Sequence, residues 1–163
     1  MCPLIPNALY IIMFLTGFGQ EPRKFHWGVY LHIQNLSGGK PAGYNYHIKS
    51  IGTGWMTDHA PTNGVLMSFV LVGLLAVATI PTEHRPLFEA IVTSEDHKIN
   101  AGGITCRLWT LAALQRLKDA RLLKCASISD LEQEAISFGE SFRLDAVAAK
   151  LPRPIQNSQL CQI

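Results

Sequence analysis

The sequence predicts an α+β fold, an antiparallel sheet with helices packed on one side. Two observations carry this expectation. Short runs rich in β-branched and aromatic residues, parted by glycine- and proline-containing turns, fill the first half of the chain. Helical periodicity appears only in the second half, so strands come first and helices afterwards. At 163 residues the chain is the size of one domain. That domain is expected over residues 1–150, with 151–163 as an extended or mobile tail.

The elements follow in order. ALYIIMFLTG, from Ala8, reads as a buried strand. GQEPRK is a turn, and HWGVYLHIQ (26–34) is the second strand. NLSGGKPAG is a glycine-rich connection of the kind that joins antiparallel strands. YNYHIKSIG (44–52) is the third strand. TGWMTDHAPTNG (53–64) reads as a polar loop, and VLMSFVLV (65–72) as the fourth strand. A helix runs through LFEAIVTS, with Pro81 and Pro86 bracketing its start. A second helix runs from Cys106 to about Leu123, with Leu108, Leu111, Leu114 and Leu117 as its apolar stripe. A third starts near Ser129, which has capping-box spacing to Glu132. LPRPIQNSQLCQI (151–163) holds two prolines and shows no periodicity.

Hydrophobic residues make up 48% of the chain and charged residues 16%, which points to an extensive buried interior. The formal net charge is +2 and the Lys and Arg residues are scattered, so no basic stripe calls for nucleic acid. The four cysteines form no CxxC or Cys/His metal spacing, so no metal site and no cofactor are expected. Their sparse use fits a reducing, cytoplasmic setting. VLMSFVLVGLLAVATI is shorter than the roughly 20 apolar residues of a spanning helix, and Ser68 and Gly73 interrupt it. No stable membrane span is expected. An edge strand such as ALYIIMFL leaves room for pairing with a second copy.

The chemistry centres on GGITCRLW. Cys106 stands at a predicted helix start, where free backbone N–H groups and the positive dipole end favour thiolate. Gly102 and Gly103 permit a tight turn or close substrate approach. Arg107 adds a charge that faces either solvent or a substrate anion. The competing reading is a cysteine buried for packing alone. A nucleophilic cysteine needs a base. His26 and His32 share one face of the second strand, about 20 Å apart at roughly 3.3 Å per residue, so at most one reaches Cys106. His47, on the next strand, is placed to orient His26 if those strands pair. His59, His84 and His97 read as solvated, as does Asp58, although Asp58 with His59 has the makings of a second acid–base pair. Trp27 and Trp109 suit the core, and Cys125 and Cys161 read as inert.

HWGVYLHIQ, YHIKS and the distant TCRLW together resemble the circularly permuted papain-like (NlpC-type) superfamily, which includes lecithin:retinol acyltransferase and the small phospholipase/acyltransferases. The resemblance covers roughly residues 8–123. It implies His26 as base, His47 as orienting residue and Cys106 as nucleophile. It also implies acyl transfer or hydrolysis on a hydrophobic small molecule. A looser resemblance joins the chain to small fungal proteins without assigned function, some linked to natural-product gene clusters. It keeps open a cofactor-independent cyclase, of the Diels–Alder type, that folds a flexible substrate without a covalent step. Trp27, Tyr44, Tyr46 and Trp55 are the expected pocket residues, with Arg107 beside them. A binding protein without catalysis is the third expectation.

Overall fold

A computed structural model describes residues 3–163. Its strands are β1 (Ala8–Leu15), β2 (Phe25–Asn35), β3 (Pro41–Tyr46), β4 (Ile48–Ser50), β5 (Trp55–Thr57), β6 (Ala60–Thr62), β7 (Leu71–Thr79), β8 (Lys124–Cys125), β9 (Ile155–Asn157) and β10 (Cys161–Gln162). The α-helices are α1 (Arg85–Thr93), α2 (Cys106–Asp119) and α3 (Ile128–Val147). Six strands form one sheet in the order β6-β3-β2-β1-β7-β9. All its pairings are antiparallel except β7 with β9. The expected α+β class is therefore observed.

Strand alternation sorts the core into two layers. Leu9, Ile11 and Met13 of β1 and Phe25, Trp27, Val29 and Leu31 of β2 face the helices, where they meet Phe88, Trp109, Leu114, Leu131 and Ala135. Ala8, Tyr10 and Ile12 of β1 and Tyr30 of β2 face the other way. That second layer is closed by Leu4, Val65 and Ile155 from irregular or short segments rather than by a helix. The helices thus lie on one side, as the apolar stripes require.

Several boundaries differ from the sequence reading. The fourth long strand is Leu71–Thr79. Residues 65–67 form a short 3-10 turn instead, because Ser68 interrupts the run and the denser apolar stretch comes after it. The loop at 53–64 contains β5 and β6. YNYHIKS is broken at His47, with β3 in the main sheet and β4 in a separate hairpin with β5. β1 is central, between β2 and β7, so it offers no free edge for a second copy. The cap of α3 is Ser127, whose hydroxyl accepts from the Asp130 amide at 3.1 Å, in place of Ser129.

The segment 151–163 is not a loose tail. Ile155–Asn157 adds to β7, with backbone bonds from Leu74 N to Pro154 O (3.0 Å) and from Ser158 N to Ala76 O (2.8 Å). Arg153 is buried and donates to the carbonyl of Phe69 at 3.0 Å. The prolines suit this position, since a strand at a sheet edge leaves amide positions that need no partner. Among the described residues, no helix is long and apolar enough to cross a membrane.

Candidate active site

His26 is the second residue of β2, opposite Phe14 of β1, in unbroken register. Trp27 faces the helices, so alternation turns His26 to the other layer. Its ring lies 5.9 Å from that of Phe14. His47 occupies the break between β3 and β4. It reaches His26 because of Gly28. A Cβ at residue 28 would come within 2.9 Å of the His47 Cβ and 3.0 Å of the Tyr46 carbonyl. Only glycine leaves this room.

The two rings meet edge to face, with His26 Nε2 and His47 Nδ1 2.8 Å apart. On its other side, His47 Nε2 stands 3.3 Å from the Asp58 carboxylate. The carboxylate favours a proton on His47 Nε2. His47 Nδ1 is then a lone pair, and it accepts the N–H of His26 Nε2. The remaining nitrogen, His26 Nδ1, carries the free lone pair. It has no hydrogen-bond partner among the described residues and is not sealed from solvent. Burial pushes the His26 pKa below 6.5, against the opposing pull of Asp58. Burial, and next the neighbouring His26, take His47 down to about 4, although Asp58 acts upward. Both rings are therefore neutral at pH 7.

A second group adjoins the first. His59 Nδ1 accepts the backbone N–H of His47 at 3.2 Å. His59 Nε2 meets Asp96 Oδ2 at 2.8 Å, and Trp109 Nε1 donates to Asp96 Oδ1 at 2.8 Å. Both nitrogens of His59 are engaged. The His47 amide, left without a ladder partner by the strand break, is satisfied here. His59 and Asp58 were expected to be solvated or to pair with each other. Instead His59 is held between the His47 amide and Asp96, while the Asp58 carboxylate stays partly exposed and faces the His47 ring and, at 3.7 Å, Lys49.

Cys106 is the first residue of α2. The Thr105 side chain caps the helix, accepting from Leu108 N at 3.2 Å. Gly102 and Gly103 have φ of 107° and 73°, so the glycines serve the turn into the helix. The amides of Cys106 and Arg107 have no intrahelical acceptor. Cys106 is half-buried against the helix-side core. No hydrogen bond joins its Sγ to any histidine among the described residues. The structure thus brings His26 and His47 together and leaves Cys106 in the other layer.

The expected pocket residues are dispersed. Trp27 is only 2% exposed and belongs to the core, where its β-strand parity sends it. Tyr44 and Tyr46 line a cleft of about 390 Å³ with Arg85, Phe88 and Glu89. Trp55 lines another of about 390 Å³, beside Gly102, Gly103 and Ile104. Arg107 is ion-paired with Glu132 of α3, so it is not held ready for a substrate anion. Sequence reasoning missed Gly28 and Asp96. The word HWG contained the first; nothing in SEDHK marked the second. Among the described residues no group of three or more His, Cys, Asp or Glu is placed to hold a metal. Comparisons with protein-family models, characterised proteins and solved structures give no match to this chain.

Proposed function

We propose that this protein is a small enzyme that uses His26 as a general acid–base on a hydrophobic small molecule. His47 and Asp58 orient the ring. The observation that carries this reading is the 2.8 Å contact from His26 Nε2 to His47 Nδ1, backed by Asp58 and leaving His26 Nδ1 free. A neutral imidazole with a lowered pKa is in its basic form at pH 7, and its fixed tautomer aims one lone pair outward. The surroundings favour an apolar substrate. Phe14 flanks the ring. Val70 O accepts from Leu15 N at 2.8 Å, which brings the exposed Phe69 and Val70 to the same end of the sheet. Proton transfer at a carbonyl compound, leading to cyclisation or isomerisation, needs only such a base and a shaped apolar surface.

A second reading keeps Cys106 as the nucleophile of an acyl transfer or hydrolysis, within a permuted papain-like fold. It is favoured by the position of Cys106 as the first residue of α2, where free amides suit an oxyanion. It requires the thiol to approach His26 Nδ1.

One experiment separates the two. The alkylation rate of Cys106 is followed against pH in wild type and in His26→Ala, with modified sites read by peptide mass. The acid–base reading expects the same alkylation profile in wild type and in His26→Ala. Fast alkylation well below the free-thiol pKa of about 8.5, abolished in His26→Ala, rejects it in favour of the cysteine nucleophile.

A further inference from the structure

β8 and β10 form a two-stranded ladder in which Cys161 is the direct partner of Cys125, and Gln162 of Lys124. Directly opposed residues of an antiparallel pair have Cα atoms about 4.5–5.5 Å apart and side chains on one face. That separation falls inside the window of about 4.4–6.8 Å that a disulfide spans. Both thiols are free. The ladder is anchored on each side. Ser158 Oγ accepts from the amides of Leu160 (3.0 Å) and Cys161 (3.2 Å), and Cys125 Sγ donates to Ser127 O at 3.4 Å. Cys125 is buried, whereas Cys161 is half-buried and reachable from solvent.

We propose that Cys125 and Cys161 are a site of reversible disulfide formation, oxidised by a small-molecule disulfide such as glutathione disulfide. The more exposed Cys161 reacts first. Its thiolate attacks one sulfur of glutathione disulfide, breaking that S–S bond and releasing one glutathione thiolate. Cys125 then loses its proton to solvent and attacks the Cys161 sulfur of the mixed disulfide. The second glutathione leaves as thiolate. Two protein thiols are oxidised, and one glutathione disulfide is reduced to two glutathiones. Burial pushes the Cys161 thiol up, so exchange is slow at neutral pH and speeds as pH rises. The bond would close a loop around the whole of α3 and pin the C-terminal strand. It would also fix one wall of the cleft of about 360 Å³ to which Lys124 and Gln162 contribute, facing Pro81 and His84.

The test uses the full chain, fully reduced and then equilibrated in glutathione buffers of rising disulfide fraction. Free thiols are blocked with a maleimide, and peptides are mapped without reduction. The expected result is one cross-linked peptide joining Cys125 to Cys161, lighter by two hydrogens and reversed by dithiothreitol. The oxidised protein should unfold at a higher temperature, and Cys161→Ser or Cys161→Ala should remove both the cross-link and that gain. The proposal is overturned if both thiols stay maleimide-labelled in the most oxidising buffer. It is equally overturned if each carries glutathione without linking, or if Cys106 is the partner found.

Discussion

His26 and His59 sit in groups of similar composition that differ in the fate of one nitrogen. Each ring is tied into a chain ending on a carboxylate, Asp58 for the first and Asp96 for the second. In the Asp96 group every polar atom is matched. Trp109 and His59 share the two carboxylate oxygens, and the second nitrogen of His59 takes a backbone amide. Such a group holds structure and has nothing left to offer a substrate. In the Asp58 group the chain ends on an open nitrogen, His26 Nδ1. Residue types alone do not separate these two groups; the open nitrogen of His26 does. The faces of the sheet reinforce the contrast. The His59 ring packs among Tyr46 and Trp109 on the helix side, while His26 lies beside Phe14 on the other.

The comparison can be broken most severely at Asp96. In Asp96→Ala, Trp109 Nε1 and His59 Nε2 both lose their acceptor in a largely buried setting. Urea unfolding should show a loss of about 3 kcal/mol, from two charge-assisted hydrogen bonds. A loss below about 1 kcal/mol would mean that the network is not structural.

Acid should act on the other group. His47 has a folded pKa near 4, below the 6.5 of an unfolded chain. The unfolded state therefore binds more protons as pH falls. The stability that His47 contributes is complete above about pH 6.5 and is lost as pH drops toward 4. Allowing for screening at its partly wet edge, this amounts to about 2 kcal/mol. Unfolding measured from pH 7 to pH 4 should show it, and His47→Asn should flatten the slope.

Gly28→Ala sharpens the comparison further, because it is expected to touch one group alone. The added methyl would meet the His47 Cβ and the Tyr46 carbonyl, so the ring must move. A destabilisation of about 1–2 kcal/mol is expected. Histidine NMR should show the resonances of His26 and His47 shifted and those of His59 retained. Equal changes in all three rings would show that the groups are one unit. The smallest effect is expected at Thr105→Ala, which removes the cap of α2 at a cost of about 1 kcal/mol. It should leave both histidine groups unchanged in the same spectra.

Much of this was legible in the residues. The α+β order, the positions of β1 and β2 and all three α-helices follow from periodicity and turn residues. The meeting of His26 and His47 followed from the expected pairing of the second and third strands. The C-terminal segment is extended, one of its two expected states, but its pairing with β7 is not legible because prolines hide a strand from pattern reading, although they suit an edge position. Trp27 suits both core and pocket by residue type, and its strand parity opposite Met13 places it in the core. Asp96 was invisible because its value lies in two partners, at positions 59 and 109, that only folding brings near it.

The sequence by itself determined which stretches bury themselves, which residues cap or break them, and which side chains are able to do chemistry. Those properties are local, set by spacing along the chain. The tertiary structure alone decided which face of the sheet each histidine occupies, that Gly28 makes room for His47, and that Cys106 lies in a different layer from His26. These depend on strand register and on how helices pack across the sheet. A shift of one residue in register would reverse every one of them.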